Sequence, residues 1–287
     1  MRARIVIPTW NAGPEFRELL HSLQSQEPAG IVGEIVVIDS TSADGTAALA
    51  ASQHARVISI PKSEFNHGAT RALAAQGTNC GAIIFLVQDA LPADREFVNS
   101  LLEPFDDPEV AGAYARVVPR ASASRLVTHD VSRDLTAGRS RLYKKIEDLD
   151  LYQSWSAGDR RIFCHFNNVA SAIRTSVFEK LPFRSLAFGE DLEWSKRALE
   201  AGHTIVYNPD AVVVHSHTSG ILKDFARHRD DAIIEKQLFG LVRPRSFAGA
   251  LARAARLAAR DLLLKPPVFS PALRLAQSLG RWSGTFE

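Results

Sequence analysis

Residues 4–11 read Arg-Ile-Val-Ile-Pro-Thr-Trp-Asn, and this stretch decides the fold. Its apolar run is short and continuous, which is typical of a strand buried on both faces of a parallel sheet. The run covers residues 4–7, and Pro8 and Thr9 end the predicted strand. Four apolar residues then recur at helical spacing: Phe16, Leu19, Leu20 and Leu23. The chain therefore begins with a strand that leads into a helix.

The same alternation repeats as far as residue 87. We predict further strands over 34–38, 57–60 and 82–87, and helices that begin within 46–51, with Asp44 as a cap, and within 66–75. This pattern predicts an α/β fold, a Rossmann-like, mostly parallel mixed sheet with helices on both faces. Ligands of such sheets collect at the carboxyl ends of the strands. The polar stretches at those ends are Thr9, Asp39, Phe65 to Gly68, and Gln88-Asp89.

The pattern loosens after about residue 120. Residues 121–165 mix polar, charged and aromatic side chains, and we interpret them as a helix and a loop over the site. Regular structure is predicted again over 168–174, then in a helix over 191–201 that Gly202 ends. Two strands are predicted to follow, over 204–207 and 211–215.

Composition excludes several classes of protein. The formal net charge of the 287 residues is only +2, which gives no basis for a nucleic-acid partner. The apolar run at 5–7 is too short for a signal peptide, and no stretch approaches the roughly 20 apolar residues of a membrane span. Cys80 and Cys164 are expected to be reduced thiols. We therefore expect a cytoplasmic protein.

The last part of the chain is basic and carries regularly spaced leucines. Arginines and one lysine far outnumber acids from residue 243 onward, beside Leu251, Leu257 and 262–264. Such a pattern is typical of an amphipathic helix lying on an anionic membrane surface. A solvated helix packed on the domain explains it equally well, and the sequence leaves both interpretations open.

Two carboxylates stand at predicted strand ends. Asp39 can accept hydrogen bonds from a nucleobase or a ribose, or it can simply cap a turn. Asp89 follows an apolar strand, where a charge needs a stabilising partner. A Mg²⁺ or Mn²⁺ ion bridging a diphosphate would be one, because both ions take carboxylate and phosphate oxygens. A loop cap before Pro92 is the alternative.

Two further groups are candidates for the chemistry itself. Asp191 follows Gly189 and Glu190 at a helix start, so it is either a general base or a residue favoured by the helix dipole. His215 and His217 follow an alternating strand. Alternation would direct them to opposite faces, so that one of them enters the site.

In this order the motifs resemble the family 2 glycosyltransferases of the GT-A fold, over about Ile5 to Ser219. They are Pro-Thr-Trp-Asn at 8–11, Val-Ile-Asp-Ser at 37–40, a strand-end Asp, Glu-Asp at 190–191, and a late His. The segment Phe-Asn-His-Gly-Ala-Thr-Arg at 65–71, followed by Gln-Asp-Ala at 88–90, is similar to the rhamnosyltransferase branch.

The resemblance implies a role for each matching residue. Asp191 is the implied catalytic base, and Asp89 and His215 are the implied ligands of Mg²⁺ or Mn²⁺, with His217 the weaker candidate. Val87 stands where the family usually has the first Asp of its metal motif, so one contact to the donor ribose or to the metal is lost. The implied donor-binding residues are Pro8, Thr9, Asn11, Asp39, Ser40, His67, Gly68, Arg71 and Gln88. Residues expected at the acceptor are Tyr152, Trp155, Glu190 and Trp194.

The expected activity is an inverting, metal-dependent transfer of L-rhamnose from dTDP-L-rhamnose to a glycan or lipid-linked acceptor. Another UDP- or dTDP-sugar donor, or a noncatalytic sugar-nucleotide-binding protein, is the alternative. The expected organisation is a glycosyltransferase domain over 1–240, with a nucleotide-binding half (1–120) and an acceptor-binding half (121–240). A basic helical tail over 241–287 follows and offers a peripheral contact with the inner face of the membrane.

Overall fold

A computed structural model describes residues 1–217 and 220–287, so Ser219, the expected end of the resemblance, lies outside the described residues. The described chain forms two compact units. The first consists of Met1–Arg120, Val131–Asp150 and Cys164–His215. The second consists of Ala121–Asp130, Leu151–Phe163 and Ser216–Glu287. The functional boundaries expected at residues 120 and 240 stay predictions.

The first unit is built on one mixed sheet. Its strands are β1 (Ala3–Thr9), β2 (Val32–Asp39), β3 (Arg56–Ser59), β4 (Ala82–Leu86), β5 (Leu91–Pro92), β6 (Val110–Val118), β7 (Leu142–Lys144), β8 (Ala170–Arg174) and β9 (Thr204–Val214). They lie in the order β3-β2-β1-β4-β8-β6-β9-β5, and β7 pairs with β9. The four strands predicted from the first 87 residues are all present.

The middle of the sheet differs from the expectation. β1 to β4 pair in parallel, but β8 runs antiparallel between β4 and β6. The two strands predicted over 204–207 and 211–215 are one strand, β9, whose pairing with β6 shifts register between Ala115 and Arg116. This irregularity lies where β9 carries Asn208, Pro209 and Asp210, which explains why the sequence looked interrupted.

Short helices connect the strands of the first unit. They are α1 (Phe16–Gln24), α2 (Thr46–Ser52), α3 (His67–Ala75), α4 (Phe97–Leu102), α8 (Thr175–Phe178) and α9 (Glu190–Glu200). The 3₁₀ turns are Lys62–Glu64 and Glu103–Asp106. All four apolar residues of α1 that recur at helical spacing are buried. Every residue of β4 is also buried, as expected for a strand covered on both faces.

Strand directions bring the predicted motifs to one edge of the sheet. The carboxyl ends of β1, β2 and β4 lie at this edge because the three strands are parallel. Since β8 is antiparallel to both of its neighbours, its amino end lies at the same edge, together with the carboxyl ends of β6 and β9. We refer to this edge as the strand-end edge.

The second unit is helical. Its helices, with the two that cross its boundaries, are α5 (Arg125–Val131), α6 (Leu149–Ser154), α7 (Ala157–Phe163), α10 (Ile221–Phe239), α11 (Phe247–Leu262) and α12 (Pro271–Ser283). Gly280 of α12 lies so close to α10 that an added Cβ would be 2.2 Å from the Phe225 carbonyl oxygen. None of the helices in the described residues combines the length and apolar character that a membrane crossing requires.

Trp194 of α9 is the largest fully buried side chain in the described residues. Its indole packs against Phe166 and Phe183, and its Nε1 donates to the Leu181 carbonyl at 2.8 Å. Gly112 of β6 makes room for the ring, because a Cβ there would be 2.8 Å from it. This packing fixes α9 against the sheet.

We predict that Trp194→Ala lowers the free energy of unfolding by about 3–5 kcal/mol, because it removes a buried aromatic ring and leaves a cavity. Urea denaturation followed by circular dichroism measures the change. Trp10→Ala is the matched control, because Trp10 is 47% exposed. Equal losses in the two variants would contradict the assignment of Trp194 to the core.

Candidate active site

Asp39, at the end of β2, is fixed by hydrogen bonds from β1 and from the loop that follows β2. Its carboxylate accepts hydrogen bonds from the Thr9 hydroxyl at 3.0 Å and from the Ser42 backbone N–H at 2.8 Å. The side chain is almost completely buried. Asp39 therefore does cap the turn after β2, and this cap also fixes the carboxylate at the strand-end edge. A contact with a nucleoside stays a prediction.

The loops after β1 and β2 form one scaffold. Asn11, at a φ of 47°, accepts a hydrogen bond from the Ala43 N–H through its side chain and donates its own N–H to the Ser42 hydroxyl. Asp44 accepts from Gly13 N–H as well as from Thr46. The hydrogen bond from the Thr46 hydroxyl is the main cause that lowers the pKa of Asp44.

Ser40 follows Asp39 and is buried beside it. Its backbone N–H donates to the Thr9 carbonyl, but its hydroxyl has no hydrogen-bond partner among the described residues. A buried polar atom in this state carries a cost of about 1–3 kcal/mol, which a bound polar group would remove. Pro8 lies next to this position, in register with Ile38 of β2.

Gln88 links the end of β4 to the loop after β1. Its side-chain oxygen accepts from the Trp10 N–H at 2.8 Å, and its amide donates to the Trp10 carbonyl at 3.3 Å. Above this link, the Lys62 ammonium lies 3.3 Å from the centre of the half-exposed Trp10 ring. Sequence reasoning assigned no role to Trp10 or Lys62, although Trp10 belongs to the motif at 8–11.

The first turn of α3 lies against the start of α9. Arg71 is buried and contacts Glu190 at 3.1 Å, and it also donates to the His67 carbonyl. Gly68 is required by a close approach, because a Cβ at this position would lie 1.8 Å from the Arg184 carbonyl oxygen. The Arg71 Nε is buried without a hydrogen-bond partner in the described chain.

Asn168, just before β8, positions the acidic pair. Its amide donates to Glu190 at 2.9 Å, and its backbone N–H donates to the Asp191 carboxylate at 3.1 Å. The Asn168 side-chain oxygen accepts from the Ser171 hydroxyl, which fixes the amide orientation. Sequence reasoning missed Asn168, since a lone Asn before a strand carries no local signal of a contact over 22 residues.

The environment of Asp191 makes it a stronger base than an exposed carboxylate. Burial raises the pKa of Asp191 to about 6, and the neighbouring charge of Glu190 acts in the same direction. Hydrogen bonds from the Asn168 and Leu192 N–H groups and the charge of Arg71 oppose the rise. Asp191 is therefore mostly ionised at neutral pH, yet it binds a proton more readily than an exposed Asp.

The pKa of His67 depends on the same charged residues, Arg71 and Glu190. Its Nδ1 lies 3.1 Å from the Arg71 guanidinium, and its ring contacts Phe65 edge to face. Burial and the charge of Arg71 lower the pKa of His67, against the opposing effect of Glu190. His67 is accordingly neutral at physiological pH.

Asp89 lies on the loop after β4, near the end of β9. Its carboxylate is 3.5 Å from the His215 Nε2. The backbone N–H of His215 donates to the Val118 carbonyl, which fixes the chain at this position. Arg120 donates to the Asp89 backbone carbonyl at 2.8 Å and to Glu15. Sequence reasoning did not single out Arg120.

The side-chain atoms near Asp89 that could coordinate a metal suit a divalent cation. Asp89, His215 and His217 offer ligand atoms that lie within 4.8 Å of one another. The two histidines were expected to point to opposite faces of a strand, but β9 ends at Val214, before both of them. The alternation therefore does not apply, and both imidazoles lie near Asp89. A carboxylate suits Mg²⁺ and Mn²⁺, and an imidazole suits the transition metals.

The aromatic residues expected at the acceptor have different environments. Trp194 is in the core of the first unit, and Tyr152 is buried in the second unit against Phe163. Neither of these two rings presents a surface to an acceptor, so burial contradicts the place expected for them there. Trp155 is half-buried, with its ring edge to face with Tyr152 and Phe163.

One family model and several known proteins are similar to this chain. The model of the family described as "Glycosyl transferase family 2" matches residues 4–166. The O-antigen chain rhamnosyltransferase RfbN of Salmonella typhimurium is 32% identical over 238 residues, which cover 81% of this chain and 72% of that protein. The O-antigen chain rhamnosyltransferase WbaN of Salmonella anatum is 32% identical over 236 residues, or 80% and 70% of the two chains.

A solved structure extends the likeness to the fold. The mannosyltransferase PcManGT of Pyrobaculum calidifontis, in complex with GDP-Man and Mn²⁺, aligns with a TM-score of 0.67. The alignment covers 99% of this chain and 86% of that one, at 17% sequence identity. The predicted fold class is thereby confirmed.

We predict that Asp191→Asn raises the melting temperature at pH 7.5 by at least about 2 °C. The folded-state pKa of Asp191 lies above its unfolded value, so the ionised form costs stability at every pH above about 6. The gain should shrink as the pH falls below 6, because the wild-type carboxyl then becomes protonated. Thermal denaturation at several pH values measures it.

Asp44→Asn is the control of opposite sign. Because the pKa of Asp44 is lowered in the folded state, its ionised form stabilises the protein at neutral pH. This variant should therefore melt lower than the wild type. A loss of stability at pH 7.5 in Asp191→Asn as well would show that Asp191 is not a costly buried charge.

Proposed function

Because the chain belongs to the family 2 glycosyltransferases, we propose that it transfers L-rhamnose from a nucleotide-diphosphate donor to a hydroxyl of a glycan. Support for the sugar comes from two relatives, both named as rhamnosyltransferases of the O-antigen chain. It also comes from the segments at 65–71 and 88–90, which are similar to the rhamnosyltransferase branch. The donor we propose is dTDP-L-rhamnose, with another dTDP- or UDP-sugar as the alternative.

The observation that carries the proposal is the convergence at the strand-end edge. Here Asp191, a carboxylate with a raised pKa, shares one edge of the sheet with Asp39 and with the pair Asp89 and His215. Contacts run along this edge from Thr9 to Asp39, from Trp10 to Gln88, and from Val87 to Val169 next to Asn168. A nucleotide-sugar needs such an array, because base, diphosphate and sugar are recognised by different groups.

We propose that the nucleoside lies against the ends of β1 and β2. Pro8, Thr9 and Asn11 would form the wall, and Asp39 would accept a hydrogen bond from the base or the ribose. The Ser40 hydroxyl and the Arg71 Nε are both buried without a hydrogen-bond partner in the described chain, and in the proposed complex they would donate to donor oxygens. His67 and Gln88 complete this set, whereas Gly68 contributes by allowing α3 to approach Arg184.

The proposed reaction is a single displacement with inversion. The acceptor oxygen forms a bond to the anomeric carbon while the bond from that carbon to the diphosphate oxygen breaks. Asp191 takes the proton from the acceptor hydroxyl, and the nucleoside diphosphate leaves with the bonding electron pair. A positioned base of this kind contributes roughly 10²–10⁴ in rate. Glu190 contributes indirectly, by raising the pKa of Asp191.

We propose that Asp89 and His215 hold the divalent cation, with His217 as a third ligand. A bound Mg²⁺ or Mn²⁺ would supply Lewis-acid stabilisation of the diphosphate. Val87 replaces a carboxylate of the family motif, so the protein offers one carboxylate and imidazole nitrogen. Phosphate oxygens and water would fill the remaining positions. Arg120 orients Asp89 by donating a hydrogen bond to the Asp89 backbone carbonyl.

For the acceptor, we propose a growing surface glycan on a lipid carrier, at the cytoplasmic face of the membrane. The basic helical stretch over 241–287 would provide a peripheral contact there. Trp155, with its partly exposed ring, is the aromatic candidate for stacking on an acceptor sugar.

We predict that dTDP-L-rhamnose with Mn²⁺ raises the melting temperature more than UDP- or GDP-sugars do, because a ligand of the native state stabilises it. Asp89→Ala should lose the metal-dependent part of this shift. Asp191→Asn should keep the shift but lose transfer by at least 10²-fold. Asp210→Ala, which removes an exposed carboxylate of β9, is the control and should behave as wild type. A shift in Asp89→Ala equal to that of the wild type would refute the metal assignment.

We also predict a shift in the pH dependence of transfer. In the wild type the rate should fall as the pH decreases through about 6, because Asp191 must be ionised to accept a proton. In Glu190→Gln this fall should move to lower pH, because the variant removes a negative charge beside Asp191. Initial rates from pH 4.5 to 8 measure both curves.

Glu193→Gln is the matched control, since Glu193 is buried on the same helix but pairs with Arg197. Its pH profile should coincide with that of the wild type. If the rate of Glu190→Gln falls at the same pH as that of the wild type, the decrease at acidic pH is not caused by Asp191.

A further inference from the structure

The loop between α11 and α12 exposes large apolar side chains. Leu263 is 80% exposed and Phe269 is 82% exposed. Lys265, Pro266 and Pro267 lie between them and are also exposed. Exposed apolar residues that cluster in one short segment mark an interaction site more often than scattered ones do. We call residues 263–269 the apolar loop.

The apolar loop is held in place from its base. Asp261 is fully buried, and its carboxylate accepts from the Ser270 hydroxyl at 2.5 Å and from the Arg274 Nε at 2.6 Å. Its backbone carbonyl accepts from the Val268 N–H at 3.0 Å. Arg274 also donates to Asp130 through both terminal nitrogens. The two ends of the loop are therefore fixed by one buried ionic network.

This anchoring has a consequence for Leu263 and Phe269. A loop with free ends could fold Leu263 and Phe269 back onto the helices and bury them. The network at Asp261 and Ser270 fixes the chain close to both residues, and in this arrangement both side chains are exposed. The exposure is thus built into the unit, and no ordering has to occur when a partner binds.

The charged side chains that the apolar loop exposes are basic, and the acids at its base, Asp130 and Asp261, are paired with Arg274. Lys265 lies between the two apolar residues, and Arg125 donates a hydrogen bond to the Lys265 carbonyl. Arg256 is exposed on α11, whose single acidic residue is the buried Asp261. The sequence from 262 to 286 contains no acidic residue. A partner for this surface must accept apolar side chains and also carry negative charge.

We propose that the apolar loop inserts Leu263 and Phe269 into an anionic lipid bilayer, with Lys265 and Arg125 at the headgroups. An anionic bilayer combines an apolar interior with negative headgroups, which matches both features of the surface. A second copy of the chain fits less well, because a symmetric contact would bring the same cations together. This bilayer contact rests on the proposed function, because it would bring the protein to an acceptor that is linked to a lipid.

This contact differs from the one that the leucine spacing suggested. The sequence predicted an amphipathic helix lying in the membrane plane through Leu251, Leu257 and 262–264. In the structure Leu257 and Leu264 are half-buried, and α11 directs Ala250 and Ala254 into the helical unit. Leu251 and Leu262 are 41% and 48% exposed, about half as much as Leu263 and Phe269. The bilayer contact is therefore assigned to the loop after α11.

Vesicle co-sedimentation of the full chain tests the proposal. The wild type should bind vesicles of phosphatidylcholine with 30% phosphatidylglycerol, and bind at least tenfold more weakly to pure phosphatidylcholine. Leu263→Ser combined with Phe269→Ser should weaken binding to the anionic vesicles at least tenfold. Lys265→Glu should also weaken it, and more at low salt than at high salt.

The control is Leu142→Ser combined with Tyr143→Ser. It removes a leucine and an aromatic ring that are 50% and 61% exposed on β7 of the first unit, so vesicle binding should not change. Circular dichroism melting curves show whether each variant is folded. If a folded Leu263→Ser/Phe269→Ser variant binds as the wild type does, the proposal is overturned.

Two further outcomes would also overturn it. One is a wild type that does not bind anionic vesicles. The other is a wild-type dimer in light scattering that the loop variant converts to a monomer without a change in vesicle binding. Donor-dependent thermal shifts are measured in parallel without vesicles. Loss of those shifts counts against the proposed transfer, whereas loss of vesicle binding counts against the apolar loop alone.

Discussion

The buried ion pair between Arg71 and Glu190 is the interaction on which the candidate site depends. It joins two helices that lie far apart along the chain, and both side chains are almost completely removed from water. Burying two charges is costly, and the cost is offset only when the partners and their remaining hydrogen bonds are in place. Asn168 and the His67 carbonyl supply hydrogen bonds to the pair, whereas the Arg71 Nε has no hydrogen-bond partner in the described chain. The position of Asp191 follows, because it is the next residue after Glu190.

Local patterns in the sequence were sufficient for the first half of the fold. The strands at β1, β2 and β4 are continuous apolar runs, and such runs are characteristic of buried parallel strands. Asp39 and Asp89 could be singled out because each follows an apolar run, and Asp191 because it lies at the start of a helix. The resemblance to the family and to its rhamnosyltransferase branch, which those motifs suggested, is confirmed by the family model and the relatives.

Other features could not be predicted, for reasons that are physical. The antiparallel direction of β8 is set by pairing with strands that lie about 60 to 90 residues earlier, and no local pattern encodes it. Asn168 and Arg120 act through contacts of 22 or more residues in sequence separation. The sequence places Trp194 and Tyr152 at an acceptor because a ring that packs in a core and a ring that stacks on a sugar look the same in sequence. Only burial distinguishes them.

The position of β8 also bears on how the protein is made. One edge of β4 pairs with β1 and the other with β8, so the apolar strand is complete only after residue 174 has been synthesised. Until then a growing chain carries β4 as an open, apolar sheet edge, a feature that favours pairing with other chains. Fragments that stop near residue 120 would retain this edge permanently. Expression of the catalytic unit is therefore best attempted with the whole sheet, including the late strands.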